Sequence, residues 1–217
     1  MCPLAATVAV AAQPERTFVY RASASGSIRE SWSYTNVART SGCTRTTRSA
    51  GRRVIRFRTA APARILLTGA ARSQDPARMR PTLITSIAGT LQHRPGRATT
   101  SSTCGPKKVL ECMATVASFD HALLRVATRK DGAVVLGRIR HSLLGGRLRG
   151  CGAIVYGRTG DVDLAEGKAI PTRLLGRGTI EVGATYTSTT PLGGRGFASG
   201  TLVTQVEWEL RLVRASR

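Results

Sequence analysis

The stretch 200–214, GTLVTQVEWELRLVR, constrains the fold of this chain more than any other. Leu202, Thr204, Val206, Trp208, Leu210 and Leu212 share one parity; Val203, Gln205, Glu207, Glu209, Arg211 and Val213 share the other. Side chains alternate across a β-strand, so this spacing makes one face mostly apolar and the other mostly polar. A strand of that length needs a sheet to lie in and a second layer to cover Trp208.

Much of the remaining chain repeats the pattern in shorter pieces. Strands are expected at 17–22, 27–35, 40–48, 52–59, 65–68, 82–94, 111–119, 122–128, 133–141 and 179–187. In 27–35, Ile28, Glu30, Trp32 and Tyr34 share a face, with Trp32 as core anchor and Glu30 as the odd member. In 52–59, Arg53, Ile55, Phe57 and Thr59 oppose Val54, Arg56 and Arg58. In 82–94, Leu83, Thr85, Ile87, Gly89 and Leu91 oppose Ile84, Ser86, Ala88, Thr90 and Gln92. Ala50-Gly51 is expected to turn the chain, 70–81 to form an exposed loop, and 95–103 to turn into Cys104. Asp131-Gly132 is a two-residue hairpin signal, and 171–175 are expected to make one short helical turn. Many short strands, with no helical period sustained over about 10 residues, point to an all-β fold. The expected architecture is an antiparallel β-sandwich, with a closed β-barrel as the alternative.

Residues 1–12 stand apart. The run 4–12, LAATVAVAA, is apolar, uncharged and small, and ends in Val10-Ala11-Ala12 before Gln13-Pro14. Small residues at these positions are what a signal peptidase accepts. Residues 1–12 therefore read as the remnant of a signal peptide, and 13–217 as one β-sandwich domain. The basic stretch that usually opens such a signal is missing, and the competing reading is a disordered Ala-rich terminus. No run reaches the ~18 continuous apolar residues of a spanning helix. Beyond this segment lie Cys43, Cys104, Cys112 and Cys151. An even number of cysteines in an exported chain points to bridges, and four permit three pairings. Cys104 with Cys112, closing the loop Gly105-Pro106-Lys107-Lys108, and Cys43 with Cys151 are the expected pairs. Zinc ligands usually come in pairs about 2–4 residues apart, a spacing these cysteines lack.

Several scattered features carry a resemblance. They are Gly26-Ser27-Ile28 through Trp32-Ser33-Tyr34 with Cys43, Gly89-Thr90-Leu91 before Cys104-Gly105 and Cys112, and the closing Trp208-Glu209-Leu210-Arg211-Leu212. Together they resemble a family of exported β-rich proteins of high-GC actinobacteria. The resemblance implies export, disulfides and a sandwich, and it carries no activity and no functional residues.

The chemistry legible in the chain is mainly charge. Its 33 basic residues against 12 acidic ones give a net charge of +21, and all but four of the 33 are arginine. Such a surplus attracts polyanions. Arg45, Arg48, Arg52, Arg53, Arg56 and Arg58 fall close together, with Arg64 following and Arg138 and Arg140 alternating further on. Guanidinium forks suit phosphate and carboxylate recognition. Arg52, Arg53, Arg56, Arg58, Arg64, Arg138 and Arg140 are the expected polyanion-binding residues; a solvated polar face shaped by codon usage is the bland alternative. Single-strand nucleic-acid readers interleave aromatics with their charges, and here only Phe57 is aromatic, on the buried parity. An anionic wall polymer or acidic polysaccharide is thus the expected partner of an exported protein. A cytoplasmic, basic nucleic-acid-binding protein is the alternative.

Catalytic constellations do not emerge. His93, His121 and His141 lie in separate segments, and no G-x-S-x-G elbow or phosphate-cradling glycine loop is present. Asp161, Asp163 and Glu166 lack the remaining ligands and the turn glycine of a twelve-residue Ca²⁺ loop. The expectation is a protein that is not an enzyme and holds no metal or cofactor.

Overall fold

The structure is a computed structural model that describes residues 14–70, 75–145, 161–162, 164, 166–192 and 199–215. The leader-like segment, Cys151, the run 151–156 and the glycines 193–196 lie outside the described residues. The fold is all-β. Its strands are β1 (Glu15–Thr40), β2 (Cys43–Thr59), β3 (Ala63–Ala70), β4 (Arg78–Met79), β5 (Thr82–His93), β6 (Gly96–Ser102) and β7 (Gly105–Cys112). They continue with β8 (Thr115–Thr128), β9 (Ala133–Arg140), β10 (Asp161–Val162), β11 (Glu166–Ala169), β12 (Thr179–Pro191) and β13 (Ser199–Arg214). All belong to one antiparallel sheet, ordered β10-β9-β8-β5-β2-β1-β13-β12 along its main path, that does not close into a barrel.

The first two strands are longer than the spacing of turn residues suggests. Ser25-Gly26 does not interrupt β1, which runs for 26 residues. Ala50-Gly51 does not turn the chain either; β2 passes straight through it. The real turn precedes Cys43, where Ser41 and Gly42 take positive φ of 50° and 77°. β1 is long because it has partners along its whole length: β13 on one edge, and β2 followed by β3 on the other. Where β2 gives way to β3, the Thr59 hydroxyl bridges the gap. It accepts from the Ala24 N–H at 2.6 Å and lies 3.1 Å from the Ala24 carbonyl, to which it donates. The expected loop 70–81 also departs from expectation, because Ala77 and Met79 are buried and β4 pairs with β3.

Parity then places the core. On β1 the even-numbered Tyr20, Ala22, Ala24 and Ile28 point inward, and on β2 the odd-numbered Ile55 and Phe57 do so. Val206, Trp208, Leu210 and Leu212 of β13 join them, as the period-two run predicts. Beyond β2, the inward residues of β5, β8 and β9 include Ile84, Ile87, Phe119, Leu124 and Leu136, in the same apolar cluster. The sheet therefore bends so that its two halves cover one another, as the layers of a sandwich do. A register irregularity between Ile84 and Ile87 of β5 resets the alternation. Both isoleucines are consequently buried, and Leu83, expected beside Ile87, is 54% exposed.

The bridges differ from the expected pairing. Cys43 is joined to Cys104, with Cα atoms 5.6 Å apart. Cys112 is disulfide-bonded too, to a partner outside the described residues. The stretch read as a loop around Cys104 is a hairpin: β6 pairs with β7, Ser102 opposite Gly105 and Gly96 opposite Cys112. Cys104 thus sits at the tip and Cys112 at the base. Eight residues of β7 at ~3.3 Å each keep them roughly 25 Å apart. β6 also runs antiparallel to β2, with Arg45 opposite Ser102, and two residues further that register brings Cys43 against Cys104.

Candidate functional site

Two groups of side chains merit attention, one on each face of the β1–β2 pair. The outward face of β1 carries Ser23, Ser25, Ser27, Arg29, Ser31 and Ser33, small hydroxyls with a single long cation among them. Opposite them on β2 stand Arg58, Arg56, Val54 and Arg52, paired with Ser25, Ser27, Arg29 and Ser31. Arg94, whose N–H donates to the Arg52 carbonyl at 2.9 Å, extends the row across the sheet. On the far side of β1 lie Val203, Gln205, Glu207 and Glu209 of β13. A groove of about 1000 Å³ runs over this face, lined among others by Arg29, Ser31, Ser33, Arg52, Arg94 and Gln205.

Charge along this face is uneven. Arg29, Arg52, Arg56, Arg58 and Arg94 are exposed and make no ion pair among the described residues. Arg97, at the end of the groove, is held by Glu111 at 3.1 Å. Glu207 and Glu209 stand in the rows of Arg56 and Arg58, each across one serine, so about 10 Å away between Cα atoms. No carboxylate occupies the corresponding β13 positions opposite Arg29 and Ser31, which are Gln205 and Val203. The uncompensated positive potential is therefore centred on Arg29, Arg52 and Arg94.

The expected polyanion-binding residues are thus only partly assembled. Arg52, Arg56 and Arg58 share the outward face of β2. Arg53 is a correction: it is 2% exposed, on the inward parity, and it pairs with the equally buried Glu30 through its Nε. It is withdrawn from any external polymer. Arg64 lies further along on β3, directly opposite Arg21. Arg140 is on β9, separated from β2 by β5 and β8, and Arg138 is on the same strand with its side chain outside what is described. Neither extends the β2 row. Arg29 and Arg94, which local clustering did not single out, join it instead. Arg29 sits on the parity opposite Ile28 and Glu30, so its outward position was readable; its juxtaposition with Arg52 required the register.

Inward, the same register builds a transverse row of polar groups in the core. Glu30 of β1 is opposite Arg53 of β2, and Arg53 is opposite His93 of β5. Arg53 Nη1 also donates to the Leu144 carbonyl at 3.2 Å, in a single 3-10 turn (Ser142–Gly145) that follows β9. One guanidinium therefore ties three separate parts of the sheet to each other. His93 is 8% exposed, and its Nε2 is enclosed with no hydrogen-bond partner. Burial, with the Arg53 charge beside it, pushes the imidazole below its usual pKa of 6.5, so the neutral ring is favoured. Two inward rows along, beyond Trp32 and Gly51, burial raises the Tyr34 phenol above its ordinary value, with a hydrogen bond to Ser49 partly opposing the rise.

Among the described residues no group of three or more His, Cys, Asp or Glu side chains is placed to hold a metal ion. Among the described residues no helix is long and apolar enough to cross a membrane. No protein-family model, curated protein or solved structure matches this chain.

Proposed function

We propose that this is an exported, disulfide-stabilised binding protein, without catalytic activity, that holds an anionic envelope polymer against the outward face of β1 and β2. The observation that carries the reading is the register of β1 on β2. It sets Arg29, Arg52 and Arg94, which make no ion pair among the described residues, around a floor of serines, in a groove whose lining carboxylates, Glu30 and Glu111, are already paired with Arg53 and Arg97. Successive outward positions on a strand are about 7 Å apart, so Arg52, Arg56 and Arg58 offer a linear set of guanidiniums to a repeating anion. Serine hydroxyls supply neutral donors between them. The Cys43–Cys104 bridge agrees with an oxidising compartment. An acidic wall polymer or polysaccharide suits this face better than single-stranded nucleic acid. Among the described residues that line the groove only Trp32 is aromatic, and it is buried, so no exposed ring stands there on which bases would stack.

The test is equilibrium binding of purified protein to poly(glycerol phosphate), heparin and single-stranded DNA between 50 and 500 mM salt, on the order of the range in which phosphate contacts are lost. Affinity for the first two is expected to fall steeply with salt. Replacing Arg29, Arg52 and Arg94 by Gln should lower it at least tenfold and flatten the salt slope. The same substitution at Arg125, Lys130 and Arg177, which removes equal charge elsewhere, should have a much smaller effect. Equal losses from the two triple variants would show that net charge alone is responsible. Tightest binding to single-stranded DNA would favour the nucleic-acid reading.

A further inference from the structure

The outward side of β1 carries a second group of uncompensated cations at its other end. Arg21 on β1 stands directly opposite Arg64 on β3. Both are exposed and point outward, because their neighbours Tyr20, Ala22 and Ile65 are buried. Directly opposed side chains have Cβ atoms about 4.5–5.5 Å apart, and like charges so placed destabilise a strand pair. Neither guanidinium makes an ion pair among the described residues. Val213 is the β13 partner of Arg21, while Glu15 lies 3.7 Å from Arg78 and Glu181 lies 3.6 Å from Arg211. A groove of about 880 Å³ at this end is lined by Arg16, Arg21, Arg64 and Arg214, and by no carboxylate among the described residues. Arg214 is already engaged, donating from Nη1 to the Gly176 carbonyl at 2.9 Å with its guanidinium 5.3 Å from the Phe18 ring centre. Arg21 and Arg64 keep their donors for an external anion.

This groove shares no lining residue with the one around Arg29, Arg52 and Arg94. Between them run the rows Arg56–Ser27–Glu207 and Arg58–Ser25–Glu209, in which each cation has a carboxylate across one serine. Positive potential on this side of β1 is therefore strongest at its two ends. Arg52 stands opposite Ser31, ten positions along β1 from Arg21, which is about 33 Å of strand. We propose that one anionic chain engages both ends at once, so that the ligand is a linear polymer of about six charged repeats or more, at one repeat per ~7 Å between successive outward positions. The inference rests on the polymer-binding reading above and adds a length requirement to it. A glycerol phosphate repeat, with six backbone bonds, has a comparable reach. Once one end is held, the second binds as an intramolecular step, which can raise affinity by about 10²–10⁴ for a chain that spans the sites and by nothing for one that does not. A phosphate between Arg21 and Arg64 accepts from both guanidinium forks and removes the repulsion across the pair.

The probe is oligo(glycerol phosphate) of defined length, about two to twelve units, titrated against the full chain by calorimetry. Affinity should climb gently up to about four units, rise at least tenfold between about four and eight, and then level off. The eight-unit chain should also show a steeper salt dependence than the four-unit chain, because more phosphates are neutralised. In Arg21→Gln/Arg64→Gln the step should vanish. In Arg125→Gln/Arg177→Gln, which removes equal charge elsewhere, it should persist. A smooth rise with length and no step, or a step that survives Arg21→Gln/Arg64→Gln, would overturn the two-ended inference and leave the groove around Arg29, Arg52 and Arg94 as a single site. Loss of the step in both variants would trace it to net charge and overturn it equally. No binding at any length would overturn the polymer-binding reading itself.

Discussion

The indole of Trp32 occupies the space that a side chain on Gly51, its direct cross-strand partner, would fill. The same relationship recurs through the core. A Cβ on Gly26 would lie 2.7 Å from Phe57 Cζ, one on Gly89 2.6 Å from Phe119 Cζ, and one on Gly167 2.6 Å from Trp208 Cη2. Gly26 with Phe57 and Gly89 with Phe119 are likewise register partners. A chain with only 5% aromatic residues thus sets Trp32, Phe57 and Phe119 over glycines of adjacent strands, and Trp208 over a glycine of β11, which pairs with β9 rather than with β13. Each ring covers backbone that glycine would otherwise leave bare, a recognised way of fixing register.

Gly51→Val tests that packing. A branched side chain at this position must displace the indole, and overpacking of this kind costs about 1–3 kcal/mol. Urea denaturation should show the loss with an unchanged m-value. Trp208→Ala, at a site 3% exposed, should cost about 3–5 kcal/mol. A neutral Gly51→Val would mean the indole has another place to go.

Removing half of the Glu30–Arg53 pair should be far worse than removing both. Arg53→Met leaves a buried carboxylate without its cation, at a cost of about 3–5 kcal/mol, whereas the Glu30→Leu/Arg53→Met double variant should recover most of that loss. A double-mutant cycle on unfolding free energy measures it. Additive losses would show that the two side chains do not interact in solution.

Acid should weaken the protein partly through His93. Its folded pKa is lowered by burial and by Arg53, so the folded state resists a proton that the unfolded chain accepts near pH 6.5. The stabilisation is complete above that value and is lost as pH falls from about 6.5 towards the folded pKa. Between pH 8 and 5, wild type should lose stability more steeply than His93→Leu. Parallel curves would show that His93 titrates alike in both states.

Peptide mapping under non-reducing conditions should recover Cys43 joined to Cys104. Cys43→Ser should lower stability by about 2–4 kcal/mol, since the bridge closes a loop of sequence separation 61. Recovery of a Cys104–Cys112 peptide would contradict the hairpin register.

Local pattern determined a good deal by itself. Period-two alternation placed β13 with Trp208 inward, put Ile55 and Phe57 on the buried side of β2, and marked Trp32 as an anchor with Glu30 as its odd neighbour. The Asp131-Gly132 turn was equally readable, because the φ of 80° at Gly132 is one that glycine adopts without strain. These are properties of a few consecutive residues. What the tertiary structure alone decided is anything that depends on who stands opposite. Ala50-Gly51 looks like a turn until Trp32 is seen to need the missing side chain. Residues 99–103 look like a loop until β2 offers them a ladder, and that ladder selects Cys104 as the partner of Cys43. Arg53 resembles the surface arginines around it, and only Glu30 on the next strand explains why it can be buried. Alternation fixes which way a residue points, but the long-range register that pairs it with a neighbour is set by the packing of the whole sheet.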